Sequence, residues 1–181
     1  MTQLTMRRAP VALRDGALVP VRPLERSDRA ELAAMVERLS DRSRYLRFAA
    51  PKPRLTSREL DHLLDVDHHR NEALVALDPD TGRGIAVVRW VTAAGEPGVA
   101  EVAVTVADEW QGRGLGPALL ARLLDLARAE GLTALRASVL AVNARSLAML
   151  RHAGFRARPV TGSLLEYELV LTPGDVRPAA A

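Results

Sequence analysis

Hydrophobic and polar positions alternate in short runs along the first half of the chain and settle into helical spacing in the second. Residues 16–24 (GALVPVRPL) alternate as a first strand, and Ser27-Asp28 offers an N-cap for a helix running to Leu39. Residues 40–48 (SDRSRYLRF) predict a second short helix; Pro51 and Pro53 then interrupt the chain before Thr56-x-x-Glu59, a capping box that opens a helix reaching Val66. Residues 72–77 and 84–91 are rich in β-formers on either side of the turn sequence DPDTGR, which predicts a hairpin, and residues 99–106 (VAEVAVTV) form a third strand after the turn AAGEPG. Over residues 116–130, Leu119, Leu120, Leu123, Leu124 and Ala127 share one helical face, and Gly131 stops the helix. A buried strand (135–140), an amphipathic helix (143–153, ended by Gly154) and a last hairpin (155–160 with 164–171, turning at Thr161-Gly162-Ser163) complete the pattern.

This order of elements predicts one α/β domain over residues 16–171, preceded by an extension (1–15) and followed by a disordered tail (172–181). A chain of 181 residues with 48% hydrophobic content suits one sizeable core. The net charge of +3 is carried almost wholly by arginine, Lys52 being the only lysine. These arginines are interspersed with acids, and aromatic residues make up 3% of the chain, so a nucleic-acid surface is not expected. Without cysteine, thiolate metal sites and a cysteine nucleophile are excluded. No signal-type h-region and no 18-residue apolar window occurs, so the expectation is a cytoplasmic protein without a membrane partner.

The chemistry concentrates at Gln111-Gly112-Arg113-Gly114-Leu115-Gly116, between the third strand and the leucine-rich helix. Glycines there let main-chain N–H groups turn toward a ligand and permit close approach. The first turn of the helix adds unpaired N–H groups and the positive end of its dipole, so phosphate oxygens are the natural occupant. The spacing is neither a Walker A loop nor G-x-G-x-x-G. Pro117 suits the first helical turn but contributes no N–H.

Q-G-R-G-L-G, preceded by VAVTVADEW, resembles the pyrophosphate loop and central strand of the GNAT acetyltransferases; residues 143–155 (NARSLAMLRHAGF) are similar to that family's second cofactor segment. The likeness covers nearly all of residues 16–171 and implies the GNAT fold, a central mixed, splayed β-sheet flanked by helices. It further implies acetyl-CoA as cosubstrate, with no metal. Loop groups from Gln111, Gly112, Arg113, Gly114, Leu115, Gly116, Pro117 and Ala118 would surround the pyrophosphate, Val104, Thr105 and Val106 the thioester and upper pantetheine, and Asn143 and Ser146 the pantetheine arm. Residues 39–77 resemble bacterial protein lysine acetyltransferases, so the implied acceptor is a protein lysine, with a small amine as the alternative.

On the strand VAEVAVTV, period two places Glu101, Ala103 and Thr105 on one face, making Glu101 the single carboxylate beside the acetyl position and the candidate general base. The family's usual acid, a tyrosine four residues before the glycine of Gly-Phe, is replaced by Leu150. That replacement keeps open a non-catalytic acyl-CoA sensor. Asp67-His68-His69 reads as polar surface, since adjacent histidines diverge and no third metal ligand is evident. Tyr45, Arg47 and Phe48 could form a lid over the acceptor site, but a Tyr and Phe three apart on a short helix more often dock it on the core, and Trp90 and Trp110 read as core or cofactor-edge packing.

Overall fold

A computed structural model describes residues 3–159 and 163–171. Its frame is a mixed seven-stranded sheet. The strands are β3 (Val21–Pro23), β4 (Asn71–Leu77), β5 (Gly84–Thr92), β6 (Val99–Val106), β7 (Ala134–Leu140), β8 (Arg156–Ala157) and β9 (Leu164–Val170), in the spatial order β3-β4-β5-β6-β7-β9-β8. All pairings are antiparallel except β6 with β7. The hairpin expected around DPDTGR is present: the Asp78 carboxylate accepts from the amides of Asp80 and Thr81, and Gly82 takes the positive φ of the turn.

Alternation along the strands divides the core between the two faces of the sheet. Ala73, Val75 and Val87 face one way and pack with Leu24, Met35 and Leu60, under α2 (Arg29–Arg38), α3 (Asp41–Phe48) and α4 (Ser57–Leu63). Leu74, Val88, Trp90 and Val102 face the other way and pack with Leu119, Leu120 and Leu123 of α5 (Leu115–Ala129) and Leu147 and Leu150 of α6 (Ala144–His152). The capping box of α4 forms as expected, with Thr56 accepting from the amide of Glu59 and Glu59 accepting from that of Thr56. That helix stops at Leu63, three residues earlier than its apolar pattern suggested.

Two further departures have local causes. The strand expected over residues 16–24 is divided at Pro20, whose missing N–H interrupts a ladder: β2 (Leu18–Val19) pairs with β1 (Val11–Ala12), whereas β3 pairs with β4. At the start of α2, Asp28 does not cap with its side chain; it accepts from Arg22 at 2.7 Å and from the amide of Glu25, which turns residues 26–28 into a 3-10 entry. Arg22 foremost holds the Asp28 carboxyl below the usual range, against the opposing effect of burial.

The segment expected to be an N-terminal extension is instead tied into the body. Helix α1 (Gln3–Arg8) sends Arg7 inward, where it meets the fully buried Glu72 at 2.7 Å, Glu130 at 3.1 Å and the carbonyl of His68 at 2.8 Å. His68, expected as polar surface, lies with Nδ1 2.6 Å from Glu72, and His69 with Nδ1 3.2 Å from Glu130. Residues 1–2, the tip of the last hairpin at 160–162 and the expected tail at 172–181 lie outside the described residues. No helix among the described residues is long and apolar enough to cross a membrane.

Candidate active site

The site begins where the sheet comes apart. Strands β6 and β7 pair only from Val99↔Ala134 to Glu101↔Arg136, and beyond that register the two strands diverge. Along β6 the main-chain groups of successive residues point to opposite edges. Val99 accepts from Ala93 and Ala107 donates to Ile85, both toward β5, while Gly98 accepts from Thr133 and Ala134 on the β7 side. The even-numbered residues therefore direct their polar groups to the β7 side; the N–H of Val102 belongs to the last rung, with Arg136, and Val104 and Val106 lie where no strand pairs with them. The carbonyl of Val106 is met by Nε2 of Gln111 at 3.0 Å.

At the open end of this wedge the glycine loop delivers α5. Gly112 and Gly114 take φ of 80° and 94°, conformations disfavoured for residues carrying a Cβ. Among the described residues, the N–H groups of Gly112, Arg113, Gly114, Leu115 and Gly116 have no backbone acceptor, whereas that of Ala118 is committed to Gly114 at 3.1 Å. Five N–H groups at a helix N-terminus, with Pro117 contributing none, form a cradle for an anion. Gly116 keeps the entry narrow: a Cβ there would sit 3.4 Å from Sδ of Met149 and 3.6 Å from Val106.

Neighbouring elements hold the loop in place. Arg113 lies over the Trp110 ring, 4.2 Å from its centroid, and forms an ion pair with Asp15 at 2.8 Å. The amide of Ala17 and then the Arg113 guanidinium hold the Asp15 carboxyl below its ordinary value. The amide of Arg14 donates to the carbonyl of Arg113, so the turn between β1 and β2 buttresses the glycines. Gln111 also donates to Ser43 and accepts from Arg145, linking the loop to α3 and α6. Asp108 accepts from the amide and hydroxyl of Ser40 and from the hydroxyl of Ser43. Burial works to raise its carboxyl, but these donors outweigh it and the net shift is downward.

A family model described as an acetyltransferase (GNAT) domain matches residues 19–156. The chain belongs to the GNAT acetyltransferase family. An acetyltransferase of Pseudomonas aeruginosa is 37% identical over 122 residues, covering 66% of this chain and 65% of the relative. Acetyltransferase Pat of Mycolicibacterium smegmatis is 33% identical over 135 residues, 74% of this chain and 40% of the relative. The matched segments thus span less than two thirds of each relative's length. The crystal structure of the GNAT domain of S. lividans PAT superposes with a TM-score of 0.84 at 33% identity, covering 91% of this chain and 97% of that one. The chain thus resembles bacterial protein acetyltransferases, and the diverging β6 and β7 belong to the mixed, helix-flanked sheet of the GNAT fold.

The two sides of β6 carry different parts of this GNAT site. Side chains of Val104 and Val106 point to the α5 face, beside Gly116. Thr105 lies on the opposite face, where its hydroxyl accepts from Nε of Arg47 at 3.0 Å, and Ala103 and Thr105 line a cavity there. Glu101 shares that face by alternation and is exposed, and its carboxylate makes no hydrogen bond or ion pair among the described residues. Asn143 caps α6 by accepting from the amide of Ser146 at 3.2 Å, so those two residues are already partnered with each other. Leu150 is buried in the α5-side core and faces no solvent. Tyr45, expected to dock α3, is 43% exposed; Phe48 packs on the core, and Arg47 reaches Thr105. Arg14, Asp15, Asp108 and Arg89 were not singled out by sequence reasoning, because their partners lie far away in the chain.

A first consequence concerns the loop. Gly116→Glu places bulk against Met149 and Val106 and a negative charge among the cradle's N–H groups, and is expected to abolish CoA binding while the protein still folds. Calorimetry with CoA and circular dichroism check this, and wild-type affinity in a folded variant would remove the loop from the cofactor site.

Proposed function

We propose that this protein transfers acetyl from acetyl-CoA to the amine of a lysine side chain on a protein. The observation that carries the reading is the wedge between β6 and β7, with the main-chain groups of Val104 and the N–H of Val106 lacking a strand partner on one wall and the five-donor cradle at its mouth. These residues fit the cosubstrate. A diphosphate matches the loop, and an extended amide-bearing arm can take the place of the missing strand along β6. Acetyl-CoA supplies an activated acetyl thioester.

The chain's own residues then act as follows. Val104 donates and accepts along the arm, Val106 donates its N–H, and the main chain of Val104 holds the acetyl carbonyl. Asn143 and Ser146 orient the arm at the start of α6. A lysine of pKa about 10.4 lies some 3.4 units above neutral pH, so releasing its amine costs about 4.6 kcal/mol. Glu101 takes that proton, directly or through a water, and the nitrogen lone pair attacks the thioester carbonyl carbon. The C–S bond breaks, and the departing thiolate, of pKa near 8.5 as a simple thiol, takes a proton from water or the new ammonium. Leu150 offers no proton at the family's usual acid position, and this step needs none from it.

The lysine acceptor is supported by the resemblance to bacterial protein acetyltransferases. The test is thiol release and label transfer from labelled acetyl-CoA across lysine-bearing proteins and small amines. Label is expected in protein lysines, with thiol release requiring the acceptor. Label confined to small amines would move the acceptor class. CoA binding without transfer to any acceptor would make the protein a sensor of acyl-CoA.

A further inference from the structure

The face of β6 opposite α5 holds two arginines with no acid to meet them. Arg89 on β5 is directly across from Ala103 on β6, and both side chains line a cavity with Thr105, Arg47, Phe48 and Leu63. Arg89 is 5% exposed, yet its guanidinium's single hydrogen bond among the described residues is to the carbonyl of Leu63 at 3.0 Å. Arg47 reaches in from α3, donates Nε to Thr105 and leans on the Phe48 ring, 5.1 Å from its centroid. Neither forms an ion pair with any carboxylate among the described residues. Asp28 is engaged with Arg22 and Glu31 with Arg38, while Glu101, further along the same face, is exposed and forms an ion pair with neither arginine.

Two guanidinium groups facing one cavity without a counter-charge are costly, since a buried charge is ordinarily paired. The cost is visible in their acidity. Burial, and next the charge of Arg89, lowers the pKa of Arg47 to about 10, and burial lowers that of Arg89. A planar fork with unused N–H groups is suited to a carboxylate, which it can hold bidentately. The place of the cavity says which carboxylate. Arg89 pairs with Ala103, one step along the same face from Glu101, which pairs with Val91. Ala103, opposite Arg89, lies about 7 Å along β6 from Glu101, a span that separates the reacting amine from a charge close by on the same acceptor.

We propose that Arg47 and Arg89 receive a carboxylate carried by the acceptor, so that the preferred substrate is an amine with an acidic group close by, as in a lysine flanked by aspartate or glutamate. The inference rests on the transferase reading above, and its test separates the two. Two lysine peptides are compared, one with acidic residues beside the lysine and one with their amides, together with free glutamate as a small dicarboxylic amine.

The acidic peptide is expected to be favoured about tenfold or more in kcat/KM, mainly through KM, the scale of a charge-assisted hydrogen bond. Arg47→Gln is expected to bring the ratio within about twofold while CoA affinity stays unchanged. Arg89→Lys, which keeps the charge but loses the fork, should reduce the preference and guards against misfolding of a more drastic change at Arg89. Calorimetry of the same peptides against the CoA-bound protein gives a second readout that needs no turnover. Equal use and equal binding of the two peptides by the wild type, or a preference that survives Arg47→Gln, would overturn the proposal. Acetylation of free glutamate in place of the peptides would keep the carboxylate site and transfer it to a small acceptor. If neither accepts acetyl, the transferase reading fails, and the relative peptide affinities still decide whether the arginines select an acid.

Discussion

Glu101→Gln is expected to lower turnover about 10²-fold or more with acetyl-CoA affinity nearly unchanged, the usual worth of a positioned general base. The expectation follows from placement. Glu101 is at the last register pair before β6 and β7 part, on the cavity-lined face, and its carboxylate is exposed and free of other partners among the described residues. A base needs that freedom, because a carboxylate already held by an arginine is a poorer proton acceptor. Turnover of the variant should recover in part at high pH, where the acceptor amine loses its proton unaided. A pH–rate profile of both proteins with a saturating lysine acceptor tests this. A variant as active as wild type at neutral pH would place the base elsewhere.

Arg7→Met is expected to destabilise the fold by about 3–5 kcal/mol, the cost of leaving one member of a buried ion pair alone. The stranded partner is Glu72, which is 0% exposed on β4 and has only His68 and the amide of Ala73 to replace the lost guanidinium. For a chain of this size the loss corresponds to a fall in Tm of roughly 6–20 °C. Replacing both members, as in Arg7→Met with Glu72→Leu, should recover much of it, since an apolar pair of similar volume carries no desolvation cost. Denaturant melts of the single and double variants decide. A single variant within about 1 kcal/mol of wild type would show that Arg7 does not compensate the Glu72 charge.

The elements that make the wedge were legible in the sequence, because each depends on local pattern. Valine alternation marked β6, the glycines marked the loop, and Asn143 and Gly154 bounded α6. The parting of β6 and β7 came from resemblance and not from pattern, since register between strands is a property of pairing. The N-terminal segment was illegible for a physical reason. Its six-residue helix carries a weak apolar signal, and what fixes it is Arg7, whose partners are contributed by β4 and by the end of α5. The same limit hid the acceptor side: Arg47 looks like any solvated arginine of a short helix until Thr105 and Arg89 are placed beside it. Charges that act through distant neighbours leave no periodic trace.

The long reach of Arg7 also bears on the order in which the molecule is assembled. Its partners Glu72 and Glu130 lie 65 and 123 positions downstream. The turn between β1 and β2 contributes Asp15 to Arg113, 98 positions on. Contacts of such sequence separation form late, after the loops between them have closed. Helix α1 is thus among the last elements to be anchored, and the glycine cradle receives its buttress only when Arg113 has met the turn at Arg14 and Asp15. Until that contact closes, the glycines lack their brace, so the competence of the anion cradle depends on joining two stretches of chain that are made far apart.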